Sequence, residues 1–168
     1  MNQLTLTVVR TMEATDCAAV LRIYEEGIRS GDATFETSAP KWEDWDASHI
    51  LTCRLVAEQH GVVAGWAALS RVSDRCVYAG VAELSIYVAE SARGRGVGSA
   101  LMLRLIEESE CAGYWTLSAG VFPENSATLA LHEKFGFRVI GRRERVGQMD
   151  GVWRDTLLLE RRSATVGQ

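Results

Sequence analysis

The stretch Glu90 to Leu101, ESARGRGVGSAL, constrains the fold of this chain more than any other segment. It follows VAELSIYVAE, whose alternation is typical of a β-strand, and it leads into GSALMLRLIEESECAG, whose apolar spacing indicates a mostly buried helix that ends at Gly113. A further strand, YWTLSAGVF, comes next. The sequence therefore predicts a central β-α-β unit with parallel pairing, in which a glycine-rich turn joins the strand to the helix.

Three phosphate-binding motifs place glycines in a turn of this kind. A Walker loop requires Gly-Lys-Ser/Thr, and this stretch contains no lysine. A dinucleotide fingerprint requires GxGxxG, and the third glycine is missing whether the count starts at Gly94 or at Gly96. The segment Arg93–Gly98 instead matches R/Q-x-x-G-x-G/A, which directs the first N–H groups of the helix at a pyrophosphate. The alternative is a turn that only packs the helix against the strand. The candidate anion-binding residues are Arg93, Gly94, Arg95, Gly96, Val97, Gly98 and Ser99.

The remaining patterns complete a predicted order of β-α-α-β-β-β-α-β-α-β-β. A strand is predicted at Leu4–Arg10, hairpin turns at His60-Gly61 and Asp150-Gly151, and a helix from near Asn125 to Gly136. Hairpins require antiparallel pairing, whereas the central unit requires parallel pairing. The fold class is therefore α/β with a mixed sheet and helices on both faces, in a single domain that spans residues 1–168.

Charge and residue spacing argue against several classes of protein. The net charge of −4 disfavours a general nucleic-acid binder. Arg93, Arg95 and Arg104 nevertheless cluster around the glycine loop, which predicts binding of one small anionic ligand. No apolar run approaches the roughly 20 residues of a membrane-spanning helix, and the N-terminus lacks a signal-peptide pattern. We therefore expect no membrane partner and a cytoplasmic location. The spacing of the four cysteines and three histidines predicts isolated thiols and no metal site.

Two motifs of this chain resemble those of the GCN5-related N-acetyltransferases, which use acetyl-CoA. One is the glycine loop, and the other is an asparagine at a helix start followed by EKxGF, here Asn125 and Glu133–Phe137. The segments ATFE, AELSIYV, LHEKFGF and GQMDGVWRDTLLLE are similar to the phosphinothricin and methionine-sulfone acetyltransferases of that family. The resemblance covers nearly the whole chain. It implies acetylation of the α-amino group of a compound such as phosphinothricin, methionine sulfone, methionine sulfoximine or arsinothricin, in a detoxifying or a metabolic role.

Two side chains are candidates for the proton transfers. Glu83 lies in the middle of an apolar strand, where we expect burial that would tune its carboxyl for base catalysis. A surface or salt-bridged glutamate is the alternative. His132 occupies the position before EK, where many relatives have a tyrosine that acts as general acid. The resemblance therefore makes His132 the candidate general acid. A purely structural histidine is the alternative there.

The resemblance also assigns residues that would hold the cofactor. It implies that the backbone of Ile86, Tyr87 and Val88 pairs with the pantetheine arm of acetyl-CoA, with the Val88 N–H polarising the thioester carbonyl. Asn125 would contact the same arm or only cap its helix, and Lys134 would reach the CoA end or remain in solvent.

The candidate substrate residues lie in two loops. Arginine forks suit carboxylates, and Arg71 and Arg75 flank the loop before the Glu83 strand. Cys76, Val77 and Tyr78 could complete its wall, while Phe35 and Glu36 match the early substrate loop of the similar enzymes. The resemblance further implies a homodimer formed through the C-terminal hairpin. Acetylation of a polyamine or a protein N-terminus, or a non-catalytic acyl-CoA sensor, are the alternative functions.

Overall fold

The computed structural model describes residues 6–168 and contains seven strands and four α-helices. The strands are β1 (Thr7–Thr11), β2 (Leu55–Gln59), β3 (Val62–Arg71), β4 (Val81–Val88), β5 (Thr116–Val121), β6 (Arg138–Met149) and β7 (Val152–Arg162). The helices are α1 (Cys17–Arg29), α2 (Trp42–Ser48), α3 (Val97–Cys111) and α4 (Ser126–Lys134). The predicted order of elements is confirmed, and Leu4 and Thr5 of the first predicted strand lie outside the described residues.

The strands form one mixed sheet in the order β1-β2-β3-β4-β5-β7-β6. Every neighbouring pair is antiparallel except β4 and β5, which are parallel as the central β-α-β unit predicts. This parallel ladder has three pairs, from Val81–Thr116 to Glu83–Ser118. Beyond them β4 and β5 separate, and a wedge-shaped gap opens in the middle of the sheet.

Helices cover both faces of this sheet, as predicted. On one face the Trp66 ring meets Tyr24 of α1 and Trp45 of α2, at centroid distances of 5.9 and 5.3 Å. The preceding residue, Gly65, faces the other way, and a Cβ there would lie 2.9 Å from Val97 of α3. Glycine is therefore needed at this position for α3 to pack closely on β3.

The two predicted hairpin turns are present, and β6 adds an irregularity that the sequence did not predict. Both turns have two successive residues with positive φ, 54° and 75° at His60-Gly61 and 50° and 78° at Asp150-Gly151. The ladder between β6 and β7 shifts between Arg143 and Gly147. The Asp155 carboxylate stabilises this bulge by accepting a hydrogen bond from the backbone N–H of Arg145 (2.7 Å).

Candidate active site

Two adjacent cavities lie beside the gap between β4 and β5. The larger has a volume of about 1030 Å³ and is lined by both strands, by the loop after α1 and by β6. The second has a volume of about 730 Å³ and lies along the start of α3 and the length of α4. Both are lined by Asp32, Ala33, Ile86, Tyr87, Asn125 and Thr128. The shared lining means that ligands in the two cavities would meet at Ile86 and Tyr87, near the C-terminal end of β4.

The glycine loop forms one end of the smaller cavity, which we call the cofactor cavity. Gly96 precedes α3 with a φ of 83°, and the Ala100 N–H donates the first helical hydrogen bond to its carbonyl oxygen (3.0 Å). The N–H groups of Val97, Gly98 and Ser99 therefore have no partner within the helix. The positive end of the α3 dipole adds to this potential, so an anion such as a pyrophosphate fits here.

Most of the predicted cofactor-binding residues line this cavity. They are Ile86, Tyr87, Val88, Arg93, Gly94, Gly96, Val97, Gly98, Ser99, Asn125 and Lys134. Arg95 is exposed and lies outside the lining. The loop thus directs one of its two arginines toward the cavity.

The backbone of β4 offers hydrogen-bonding groups to the gap. The Ala89 N–H donates to the Ala64 carbonyl oxygen (2.8 Å), which makes this a hydrogen-bonded pair of the antiparallel β3–β4 register. Such pairs alternate along the ladder, so Val88 and Ile86 occupy the intervening non-hydrogen-bonded positions. Their N–H groups point away from β3 and into the gap, where an extended ligand arm could pair with them.

Asn125 joins the start of α4 to the loop after α1. Its side-chain oxygen accepts from the Thr128 N–H (3.1 Å), which confirms the predicted helix cap. Its Nδ2 donates to the Asp32 carbonyl oxygen (3.0 Å). Further along α4, the Lys134 ammonium donates to the Ser99 hydroxyl (3.1 Å) and connects this helix to the glycine loop.

Glu83 lines the larger cavity, but the burial expected from its apolar neighbours is wrong. Its side chain is exposed, because β5 leaves the ladder immediately after the pair that Glu83 forms with Ser118. The residues before and after it on the strand, Ala82 and Leu84, are buried. Any catalytic role of this carboxylate must therefore come from its position at the opening of the gap.

His132 forms part of the inner wall of the same cavity and is 1% exposed. Its Nδ1 lies 2.8 Å from the Thr128 carbonyl oxygen, so Nδ1 carries the proton in the neutral ring. Its Nε2 finds no hydrogen-bond partner within residues 6–168. Burial lowers the pKa of His132, and Nε2 therefore presents a lone pair rather than a proton. This state suits a proton acceptor better than the predicted acid.

The structure brings together only part of the predicted substrate residues. Phe35, Glu36 and Arg71 line the larger cavity. The Phe35 ring packs edge-on against Phe122 at 4.8 Å. The other predicted substrate residues lie outside the lining, in an exposed 3₁₀ turn: Arg75, Cys76, Val77 and Tyr78. These four residues do not line the larger cavity in this structure.

Several lining residues were missed by the sequence analysis. Arg143 and Gly147 reach the larger cavity from β6 at the two ends of the bulge, which no sequence pattern announced. Tyr24 of α1 also lines the cavity, and its ring meets the Tyr87 ring at 4.9 Å. Burial raises the pKa of both phenols, and both stay protonated near neutral pH.

The charged groups of the larger cavity include both signs. Glu36 and Glu83 supply carboxylates, and Arg71 and Arg143 supply guanidinium groups. This arrangement complements a zwitterion that carries an ammonium and one or two acidic groups. Within residues 6–168, no group of three His, Cys, Asp or Glu side chains is placed to hold a metal ion. No helix in the same range is long and apolar enough to cross a bilayer.

An extended anion-binding cleft that adjoins a second, charged cavity at an open sheet is the arrangement expected of an enzyme that transfers a group between two substrates. The chain belongs to the acetyltransferase (GNAT) family, whose sequence profile matches residues 18–137. The fold and the N-acetyltransferase class expected from the sequence motifs are thereby confirmed.

Individual relatives cover most of the chain. A phosphinothricin N-acetyltransferase from Alcaligenes faecalis is 35% identical over 91% of this chain and 81% of the relative. An L-methionine sulfoximine/L-methionine sulfone acetyltransferase from Salmonella typhimurium is 30% identical over 90% of this chain and 92% of the relative. The crystal structure of a phosphinothricin acetyltransferase from Sinorhizobium meliloti in complex with acetyl-CoA superposes with a TM-score of 0.83. It is 28% identical and covers 93% of this chain and 88% of its own.

Proposed function

We propose that this enzyme transfers the acetyl group of acetyl-CoA to the α-amino group of a small amino acid. The substrate class is that of phosphinothricin, methionine sulfone, methionine sulfoximine and arsinothricin. The observation that carries the proposal is the meeting of the two cavities on β4, with Glu83 on one side and the free Val88 N–H on the other. The activities named for the relatives support the same substrate class.

The cofactor cavity fits acetyl-CoA. The N–H groups of Val97 to Ser99, together with Arg93, would bind the pyrophosphate. The backbone of Ile86 and Val88 would pair with the pantetheine arm as an added strand, and Asn125 and Lys134 line the remaining wall. When bound, acetyl-CoA supplies an acetyl thioester at the junction of the two cavities.

Glu83 is the proposed general base. Its exposed carboxylate accepts a proton from the substrate ammonium, directly or through a water, so that the amine can attack. The amine nitrogen bonds to the acetyl carbon and the carbon–sulfur bond breaks, while the Val88 N–H donates to the carbonyl oxygen as charge develops there. Nε2 of His132 can accept the second amine proton and return it to the departing sulfur.

Arg71 and Arg143 are the proposed anion-binding residues of the substrate cavity. Their planar guanidinium groups can each form two parallel hydrogen bonds to a carboxylate, a phosphinate or a sulfonyl group. Glu36 and Glu83 face the same space and favour the ammonium end. Phe35 supplies an apolar wall against the methylene chain. Arg75, Cys76, Val77 and Tyr78 remain a secondary prediction for substrate contact.

We also propose a homodimer formed through the β6–β7 hairpin. Three large apolar side chains of this hairpin that line neither cavity are between 55% and 61% exposed: Val139, Val152 and Trp153. Exposed apolar patches of this kind mark interaction surfaces. A second copy of the chain is the proposed partner, and sedimentation of Trp153→Glu beside the wild type tests it. The wild type should sediment as a dimer and the variant as a monomer, and a monomeric wild type would overturn the proposal.

A cytoplasmic location belongs to the same proposal. Acetyl-CoA is an intracellular metabolite, and all four cysteines are present as free thiols. Fractionation of cells that express the native chain tests this location, and recovery of the protein in a secreted or membrane fraction would contradict it.

Release of free thiol from acetyl-CoA tests the proposed activity. The panel contains phosphinothricin, methionine sulfone, methionine sulfoximine and arsinothricin, with spermidine and an alanine-terminated peptide as other amines. Rapid release with one or more amino acids supports the proposal. Release only with spermidine or the peptide, or tight CoA binding without release by any amine, overturns it in favour of another acceptor or of a sensor.

A further inference from the structure

Arg154 of β7 joins the loop that follows α1 to the loop that precedes α4. Its guanidinium donates to the Gly31 carbonyl oxygen (3.0 Å), to the Asp32 carboxylate (2.9 Å) and to the Glu124 carboxylate (3.2 Å). Gly31 and Asp32 follow α1, whereas Glu124 directly precedes the cap of α4. The Arg154 side chain is 16% exposed, whereas its partners Asp32 and Glu124 are 50% and 59% exposed, so these charge-assisted bonds are screened in part by solvent.

The partners of Arg154 are parts of the lining that the two cavities share. Asp32 and Asn125 line both cavities, and Glu124 lines the cofactor cavity. Asp32 is bonded from two sides, because its carboxylate binds Arg154 while its carbonyl oxygen accepts from Asn125 Nδ2. Arg154 and Asn125 therefore fix the same residue against the start of α4.

Arg154 also supports the aromatic wall of the substrate cavity. Its guanidinium lies over the Phe122 ring at 4.1 Å from the centroid, a cation–π distance. The Phe35 ring contacts Phe122 edge-on. Displacement of Arg154 would therefore affect the position of Phe35 in two ways. It would release Asp32 in the same loop, and it would remove the support of the Phe122 ring that Phe35 contacts.

We propose that Arg154 is a positioning residue, which holds the loop of residues 31–36 against the start of α4. This position of the loop aligns the amino group of the substrate with the acetyl carbon. Arg154 touches neither reacting group and acts through Asp32, Glu124 and Phe122. The kinetic part of this inference rests on the proposed function, since it requires an amino acid that is turned over.

The variant Arg154→Met keeps the aliphatic stem and removes the charge. We expect the KM for the amino acid to rise about tenfold and kcat to fall, because a displaced loop misaligns the substrate. The dissociation constant of CoA should change by less than about threefold, since the N–H groups of the glycine loop on α3 are untouched.

Arg161→Met is the matched control. Arg161 lies on the same strand, is 21% exposed and binds the single carboxylate of Glu110 (3.0 Å), outside both cavities. A merely structural role for Arg154 predicts that both variants lower the melting temperature and leave the amino-acid KM unchanged. That result would overturn the proposal.

The variant Asp32→Asn tests the route through the loop. If Arg154 acts through Asp32, the effects of Arg154→Met and Asp32→Asn on the amino-acid KM will be smaller in combination than their sum. Strictly additive effects would contradict this route.

Hydrogen exchange provides a readout that does not depend on turnover. Arg154→Met should speed exchange of the backbone amides in residues 31–36 and 124–128, whereas Arg161→Met should not. Unchanged exchange in both segments would overturn the inference even in an active enzyme. Conversely, if the wild type acetylates no amino acid, the proposed function fails while the exchange experiment still tests Arg154.

Discussion

Glu83 of β4 lies opposite Ser118 of β5 in the last paired position before the two strands separate. The carboxylate is therefore placed where the sheet opens, at the floor of the larger cavity, with a parallel ladder on one side and a gap on the other. The gap exposes the side chain to solvent and also frees the N–H groups of β4 further along the strand. One topological feature thus places both the proposed base and the proposed carbonyl-binding group.

Replacement of Glu83 by glutamine tests its role as base. Glu83→Gln should lower kcat by about 10²–10⁴-fold, the usual range for loss of a positioned base, and leave the dissociation constant of CoA unchanged. Because Glu83 is exposed, the melting temperature should stay within about 2 °C of the wild type. Glu107→Gln, an exposed surface change on α3, serves as the control. Wild-type turnover of Glu83→Gln at every pH would refute the assignment.

His132 should make stability depend on pH. Burial lowers its pKa, so the folded ring stays neutral at a pH where a histidine of the unfolded chain, with a pKa of about 6.5, is already protonated. The unfolded state then binds more protons, and the free energy of unfolding falls as the pH drops below about 6.5 and is retained above it. His49, whose pKa is also lowered by burial, contributes with the same sign.

The measurement is urea unfolding at pH 7.5 and pH 5.5. His132→Asn should lose less stability between these two values than the wild type, although some dependence remains because of His49. His60→Asn, in the exposed β2–β3 turn, is the control for removal of a histidine elsewhere in the chain. An identical pH dependence in wild type and His132→Asn would show that the ring does not titrate in this way.

A comparison of alanine variants at Gly96 and Gly113 distinguishes the effect of backbone strain from the effect on cofactor binding. Both have positive φ, 83° and 89°, and a Cβ at either position would meet no atom within 4 Å. Gly96→Ala and Gly113→Ala should therefore each destabilise the fold by about 1–2 kcal/mol, measured by urea unfolding. Only Gly96→Ala should also weaken CoA binding, since Gly96 lines the cofactor cavity and Gly113 follows the far end of α3. Equal CoA affinities would place the pyrophosphate elsewhere.

The elements were predictable from local patterns, because each depends on a signal within about fifteen residues. The glycine loop, the EKxGF ending and the two turns of His60-Gly61 and Asp150-Gly151 fixed the order of strands and helices. The Asn125 cap followed from the same local chemistry.

The features that the sequence analysis missed or predicted wrongly depend on contacts between residues that are distant in sequence. Exposure of Glu83 depends on where β5 leaves β4, which alternation within β4 does not reveal. The bulge that brings Arg143 and Gly147 to the cavity depends on the register of β6 against β7. The convergence of Arg154 with Asp32 joins positions 122 residues apart. No pattern within one segment carries information of this kind.

Arg71 and Arg75 give a direct comparison of sequence and structure. Both were predicted to bind the substrate carboxylate, but only Arg71 lines the cavity. Arg71→Ala should raise the KM of the amino acid by about 10–100-fold, the effect of losing a charge-assisted bidentate contact. Arg75→Ala, whose guanidinium lies over the Tyr78 ring at 5.6 Å, should change it by less than about twofold. The reverse order in steady-state kinetics would show that the 3₁₀ turn reaches the substrate in the working enzyme.

Gly147 tests whether the β6 bulge shapes the substrate cavity. A Cβ at this position would lie 2.7 Å from Cε1 of Phe35, so Gly147→Ala must displace the ring from its place in the cavity wall. We expect the KM of the amino acid to rise several-fold with little change in CoA affinity, because the cofactor cavity does not include Phe35. Gly141→Ala, on the same strand with open space around its Cβ, should leave both constants unchanged. If Gly147→Ala and Gly141→Ala have the same amino-acid KM, the position of Phe35 does not control substrate binding.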